Sequence, residues 1–105
     1  MTAVDWLEII RDRIVRDFSP EKLILFGSQA KGEATRHSDI DLLVVFAEVK
    51  DKRRVAVDIH RCLADLPVGT DILVTTPEEI SRRGWIVGTI LRSALHEGKV
   101  IYERR

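Results

Sequence analysis

The segment Asp39-Ile40-Asp41-Leu42-Leu43-Val44-Val45-Phe46 constrains this chain more than any other stretch of it. Its uninterrupted apolar second half reads as a strand covered on both faces, so other elements must pack on either side of the sheet that holds it. Yet the same strand opens on two acids. Residues two apart on a strand point to one face, so Asp39 and Asp41 set like charges side by side at the mouth of a buried element. Close carboxylates repel, and an ordinary fold avoids that placement.

The rest of the chain supplies the partners such a strand needs. Trp6, Leu7, Ile10, Ile14 and Phe18 recur at helical spacing, which predicts a helix from about Thr2 to Asp17. Ser19-Pro20 closes it, because the residue before proline is pushed out of helical geometry. Lys22 to Phe26 reads as a buried strand meeting Gly27, with a turn or one short helical stretch over residues 28–32 and polar loop over 33–38. A helix is expected from Asp51 to about Leu66, a turn at Pro67-Val68-Gly69, and a strand from Thr70 to Thr75. Thr76-Pro77-Glu78-Glu79 is a strong helix start: a capping hydroxyl, proline at the first position, then acids at the positive end of the dipole. A break near Gly84 separates that helix from a longer one carrying Ile86, Val87, Ile90, Leu91, Ala94 and Leu95. Gly98 suits a left-handed helix end, and Lys99 to Tyr102 forms a last short strand. The expected fold is α/β (α+β), one domain over residues 1–105, with a small mixed sheet of about four strands and helices packed on it.

Composition narrows the chemistry. Basic and acidic residues number 17 each, so no whole-chain field draws this protein to nucleic acid or an anionic membrane. Cys62 is the single cysteine, which excludes an intrachain disulfide and leaves a small buried side chain as its expected role. The N-terminus has no basic segment followed by an apolar run, and no stretch approaches membrane-spanning length. A cytoplasmic location is the resulting expectation.

Asp71 repeats the theme of the first pair: a lone acid opening the apolar run Ile72-Leu73-Val74. If its strand neighbours the one begun by Asp39 and Asp41, three carboxylates converge at one edge of the sheet. Hard divalent cations are held by such oxygens together with substrate phosphates, so the set suits metal-assisted phosphoryl or nucleotidyl transfer. Gly27-Ser28, directly after a strand, can turn the chain sharply and offer amides and a hydroxyl to phosphate oxygens. The spacing from Gly27 to Gly32 mimics a P-loop, but Glu33-Ala34 stands where that motif needs Lys and Ser or Thr, so the P-loop reading fails.

The segment Gly27-Ser28, ten residues, then Asp39-Ile40-Asp41 resembles the signature of the polymerase β-like nucleotidyltransferase superfamily. The fuller strings, Phe26 to Gly32 and Ser38 to Val44, resemble its minimal prokaryotic branch, the MNT domain of HEPN–MNT toxin–antitoxin pairs. That resemblance implies Mg²⁺, two ions, with Mn²⁺ as an alternative. Asp39 and Asp41 would ligate both ions, and Asp71 would hold the catalytic one and help to deprotonate an acceptor hydroxyl. Gly27 and Ser28 would grip the triphosphate of ATP or another NTP. It further implies AMP transfer to a tyrosine of a HEPN toxin partner, with the chain acting as an antitoxin.

Lys31, Arg36 and His37 lie between the phosphate grip and the acids; Lys31 is the best placed by type to meet phosphate as a point charge. His60 and His96 read as solvated or packed histidines, Arg82-Arg83 and Arg104-Arg105 as solvated surface, and Trp6 and Trp85 as core or interface anchors. Two other functions compete: a non-enzymatic antitoxin that occludes a HEPN ribonuclease, and a small-molecule transferase of the aminoglycoside-modifying kind. A chain this short encloses base and acceptor poorly, which implies a homo- or hetero-oligomer, while direct nucleic-acid binding is not expected.

Overall fold

The apolar strand predicted from Asp39 to Phe46 lies at the interior of a four-stranded sheet. The computed structural model of the chain describes residues 3–27 and 39–104. Its elements run α1 (Ala3–Phe18), β1 (Lys22–Phe26), β2 (Ile40–Val45), α2 (Lys52–Cys62), β3 (Thr70–Thr75), α3 (Pro77–Arg83), α4 (Ile90–Glu97) and β4 (Lys99–Glu103). The strand order is β3-β2-β1-β4, with β1 antiparallel to both β2 and β4 and β2 parallel to β3. This is the small mixed sheet with packed helices that the sequence predicts.

Strand alternation divides the core in two. Leu23, Leu25, Ile40, Leu42 and Val44 face a larger cluster that takes in Ile10 and Ile14 of α1 and Ile59 of α2. Ile24, Leu43 and Val45 face a smaller cluster closed by Ala94, Leu91 and Leu95 of α4 and Ile80 of α3. Leu42, Leu43 and Val44 are fully buried, as a strand covered on both faces requires. Residues 39, 41 and 71 have the parity of the second, thinner face.

Helix boundaries follow local chemistry. Ser19 adopts φ 51°, so the chain leaves α1 through a left-handed residue before Pro20. Asp51 and Thr76 cap α2 and α3, accepting from the Arg54 and Glu79 amides. The helix expected to reach Leu66 ends at Cys62, because three-residue bonds (Ala64 N–H to Arg61 O, Leu66 N–H to Leu63 O) tighten the chain ahead of Pro67. The helix expected from Ile86 begins instead at Ile90, since Gly88 turns with φ 89° and Thr89 supplies a cap to the Arg92 amide. Gly98 is also corrected: its φ of −78° and ψ of 164° are extended, not left-handed. A side chain there would strike Ala94 O and the Ile24 methyl, so close approach of α4 to β1 demands this glycine. No described helix is long and apolar enough to cross a membrane.

Candidate active site

Asp41 sits in β2 directly between Phe26 of β1 and Asp71 of β3. The parallel register that pairs Ile40 with Thr70 and Leu42 with Ile72 leaves no other place for it. Asp41 and Asp71 therefore share a face, with their carboxyl groups close enough for a proton on Asp41 to be shared with Asp71. Burial, the Asp71 hydrogen bond and the charges of Asp71 and Asp39 together push Asp41 up to about 6.

Asp39 precedes β2 and is exposed, as is Asp71, whereas Asp41 is half-buried. Among the described residues no three acids stand close enough to hold an ion as they are. Asp41 and Asp71 form the contacting pair, and Asp39 joins them through its charge. The donor set still fits a hard divalent cation: all oxygen, and a repulsion between like charges that a cation would remove.

Two glycines shape the walls. Gly27 follows Phe26 with φ 73°, the left-handed turn for which glycine is suited, and a side chain on it would overlap the Asp41 carboxylate, whose Cγ lies 3.1 Å from the added carbon. Gly69 stands in the same relation to Asp39, with Cγ at 2.8 Å. In the sequence Gly69 reads only as part of a turn. Nothing in its local pattern reveals the contact, which exists only once β3 is registered against β2. Ser28 and Lys31, with Arg36 and His37, lie outside the described residues.

Other singled-out residues fall elsewhere. His60 and His96 are exposed, the solvated of the two readings left open for them; Arg82 and Arg83 are exposed as expected, and so is Arg104, whose guanidinium bonds Ser19 O. Trp6 packs against the larger cluster, and Trp85 is exposed. Cys62 is half-buried and donates to Asp17 Oδ2 at 3.3 Å. A cavity of about 580 Å³, with Ile24, Val45, Ile80 and Leu95 among its walls, opens on the same sheet face as the acids but at its other end. Val45 pairs with Lys22 there, and the strand rise puts that point about 13 Å from the Asp41–Phe26 pair. The cavity and the acids are separate features.

Comparison with known proteins decides the family. The family model described as a nucleotidyltransferase domain matches residues 7–104. The chain belongs to this family. Two Methanocaldococcus jannaschii proteins, each provisionally named a protein adenylyltransferase, are 34% identical to this nucleotidyltransferase domain. One aligns over 90 residues, 78% of this chain and 58% of its own length, so the chain spans under two thirds of that relative. The other aligns over 83 residues, 78% of each chain. A provisionally named nucleotidyltransferase of Sulfolobus solfataricus, solved by crystallography, superposes with a TM-score of 0.67 at 20% identity, covering 96% of this chain and 80% of that one. A toxin–antitoxin crystal structure with AMP-PNP gives 0.59 at 23% identity, covering 93% and 74%. An MntA–HpeT toxin–antitoxin mutant, with two aspartates changed to glutamate, gives 0.55 at 20% identity, covering 100% and 76%. These last likenesses are of fold, the nucleotidyltransferase fold.

Proposed function

We propose that this nucleotidyltransferase domain transfers AMP from ATP to a hydroxyl of a partner protein, a tyrosine of a HEPN toxin, and thereby serves as an antitoxin. The observation that carries the reading is the β2–β3 register, which puts Asp41 against Asp71 with Asp39 charged beside them. The relatives' adenylyltransferase name and the toxin–antitoxin setting of two fold neighbours support the choice of acceptor.

In this reading Asp39, Asp41 and Asp71 hold Mg²⁺, for which Mn²⁺ can substitute, and the metal supplies neutralisation of the triphosphate and polarisation of the attacked phosphorus. The acceptor hydroxyl attacks the α-phosphorus in line; its new P–O bond forms as the bond to the pyrophosphate oxygen breaks. Asp71, the exposed member of the contacting pair, takes the hydroxyl proton. Gly27 gives the triphosphate a bare backbone to approach, and Ser28 and Lys31 contribute a hydroxyl and a point charge to its oxygens. A partner subunit in the cytosol, a toxin or a second copy, completes the walls around base and acceptor.

Intact-protein mass spectrometry of a candidate HEPN partner with this chain and Mg-ATP tests the reading, with Asp39→Asn/Asp41→Asn as control. A gain of one AMP on the partner, absent with a folded control, supports it. Transfer by the folded double variant would sink it. Neutralisation of the toxin with no mass gain would mean inhibition by binding alone, and AMP found on a small molecule would mean a different acceptor class.

A further inference from the structure

We propose that Gly69 is a positioning residue that sets the Asp39 carboxylate at the mouth of the acid cluster. The inference rests on the reading of Asp39, Asp41 and Asp71 as a cation site and adds a residue that their motif does not contain.

The parallel ladder begins one step before the strands themselves. Ile40 N–H donates to Gly69 O at 2.9 Å, and Ile40 pairs with Thr70. Asp39 therefore lies alongside Gly69 as Asp41 lies alongside Asp71. By strand alternation a side chain at 69 would project to the face that carries the acids. The Asp39 carboxylate occupies that space instead: a Cβ on Gly69 would overlap Oδ1 and stand 2.8 Å from Cγ. Nothing else there demands glycine. The positive-φ glycines of the described residues are Gly27 and Gly88, so Gly69 has a backbone open to alanine. It is exposed, so no core packing depends on it. The group that must give way to a methyl is thus the flexible end of Asp39 alone. A glycine serving merely as the turn after Pro67-Val68 would predict a different pattern: a change of stability without a change in what the acids hold.

The full chain and three variants, Gly69→Ala, Asp39→Asn and the double substitution, are to be compared by thermal melting without metal and by Mn²⁺ binding followed by electron paramagnetic resonance. Gly69→Ala is expected to melt at or slightly above the parent, because alanine restricts the unfolded chain where the folded backbone accepts it. Its Mn²⁺ dissociation constant should rise about tenfold, the scale seen when a ligand's support is removed. In the Asp39→Asn background the glycine change should add nothing, since the two act through one carboxylate. Parent-like Mn²⁺ binding by Gly69→Ala would overturn the assignment and leave the acid cluster standing. So would losses that add in the double variant, or a melting point well below the parent. A parent that binds Mn²⁺ no better than Asp39→Asn would instead remove Asp39 from the cation site, and the role of Gly69 with it.

Discussion

At Asp41 a single carboxyl meets partial burial, a hydrogen-bonded acid neighbour and a second like charge, and all three favour its protonated form. A group raised in the folded state weakens the fold wherever it is ionised. Without metal, that penalty is absent below the ordinary carboxylate range, grows as pH rises, and is complete above about 6. Asp41→Asn should therefore stabilise the metal-free chain at pH 7 by on the order of 1–2 kcal/mol once solvent screening is allowed for. Melting curves should show the gap between variant and parent closing as pH falls toward 4, and narrowing at pH 7 when Mg²⁺ is added to the parent. A gap independent of pH would contradict the origin given for it. The three acids themselves were readable from the sequence, because strand periodicity fixes parity and an apolar run identifies the strand. The contacts of Gly27 with Asp41 and Gly69 with Asp39 were not, since each depends on distances that only the folded chain defines.

Among the elements, the joint between β3, α2 and α3 is held by polar chemistry in an apolar setting. Thr75 is fully buried at the end of β3, and its hydroxyl donates to Glu79 of α3, which also receives Lys52 from the start of α2. Burial pushes the Glu79 carboxyl up, but the Lys52 and Thr75 hydrogen bonds outweigh it and hold the group below its ordinary range. Thr75→Val keeps the shape and removes the donor, and should cost about 1–2 kcal/mol. Urea denaturation should show a lower midpoint at unchanged slope; an unchanged midpoint would mean that Lys52 alone satisfies the carboxylate. The caps on either side of this joint were evident beforehand, as Thr76-Pro77-Glu78-Glu79 carries its helix start in its residue types. The starts and ends around Gly88 and Gly98 were not. In both cases periodicity suggested more helix, or a different helix end, while the outcome turned on one backbone conformation.

Over the whole molecule the two faces of the sheet are unequally covered. α1 and α2 close the larger cluster, whereas the second face is covered by two short helices and leads to Trp85, Val87 and Ile90, which are 70%, 78% and 66% exposed. The fold class was plain from the order of apolar runs and their lengths. The unequal coverage was not, because the same runs fit a longer last helix that would have buried part of that surface.

The parallel pairing of β2 with β3 also orders events in time. β1 and β2 are antiparallel neighbours in sequence order, but Asp71 reaches Asp41 only after the chain has made the α2 crossover and laid β3 down in register. Contacts across such long loops tend to form late in folding. The acid cluster is then incomplete in the transition state, and a cation that needs all of its carboxylates finds no purchase there. Mg²⁺ should accordingly leave the refolding rate nearly untouched and slow unfolding instead, a division that stopped-flow traces with and without the ion would reveal. A metal-accelerated refolding limb would place the crossover early. In a cell the same ordering would make a bound ion a latch: it does not help the chain to find its shape, but it lengthens the time for which that shape is kept.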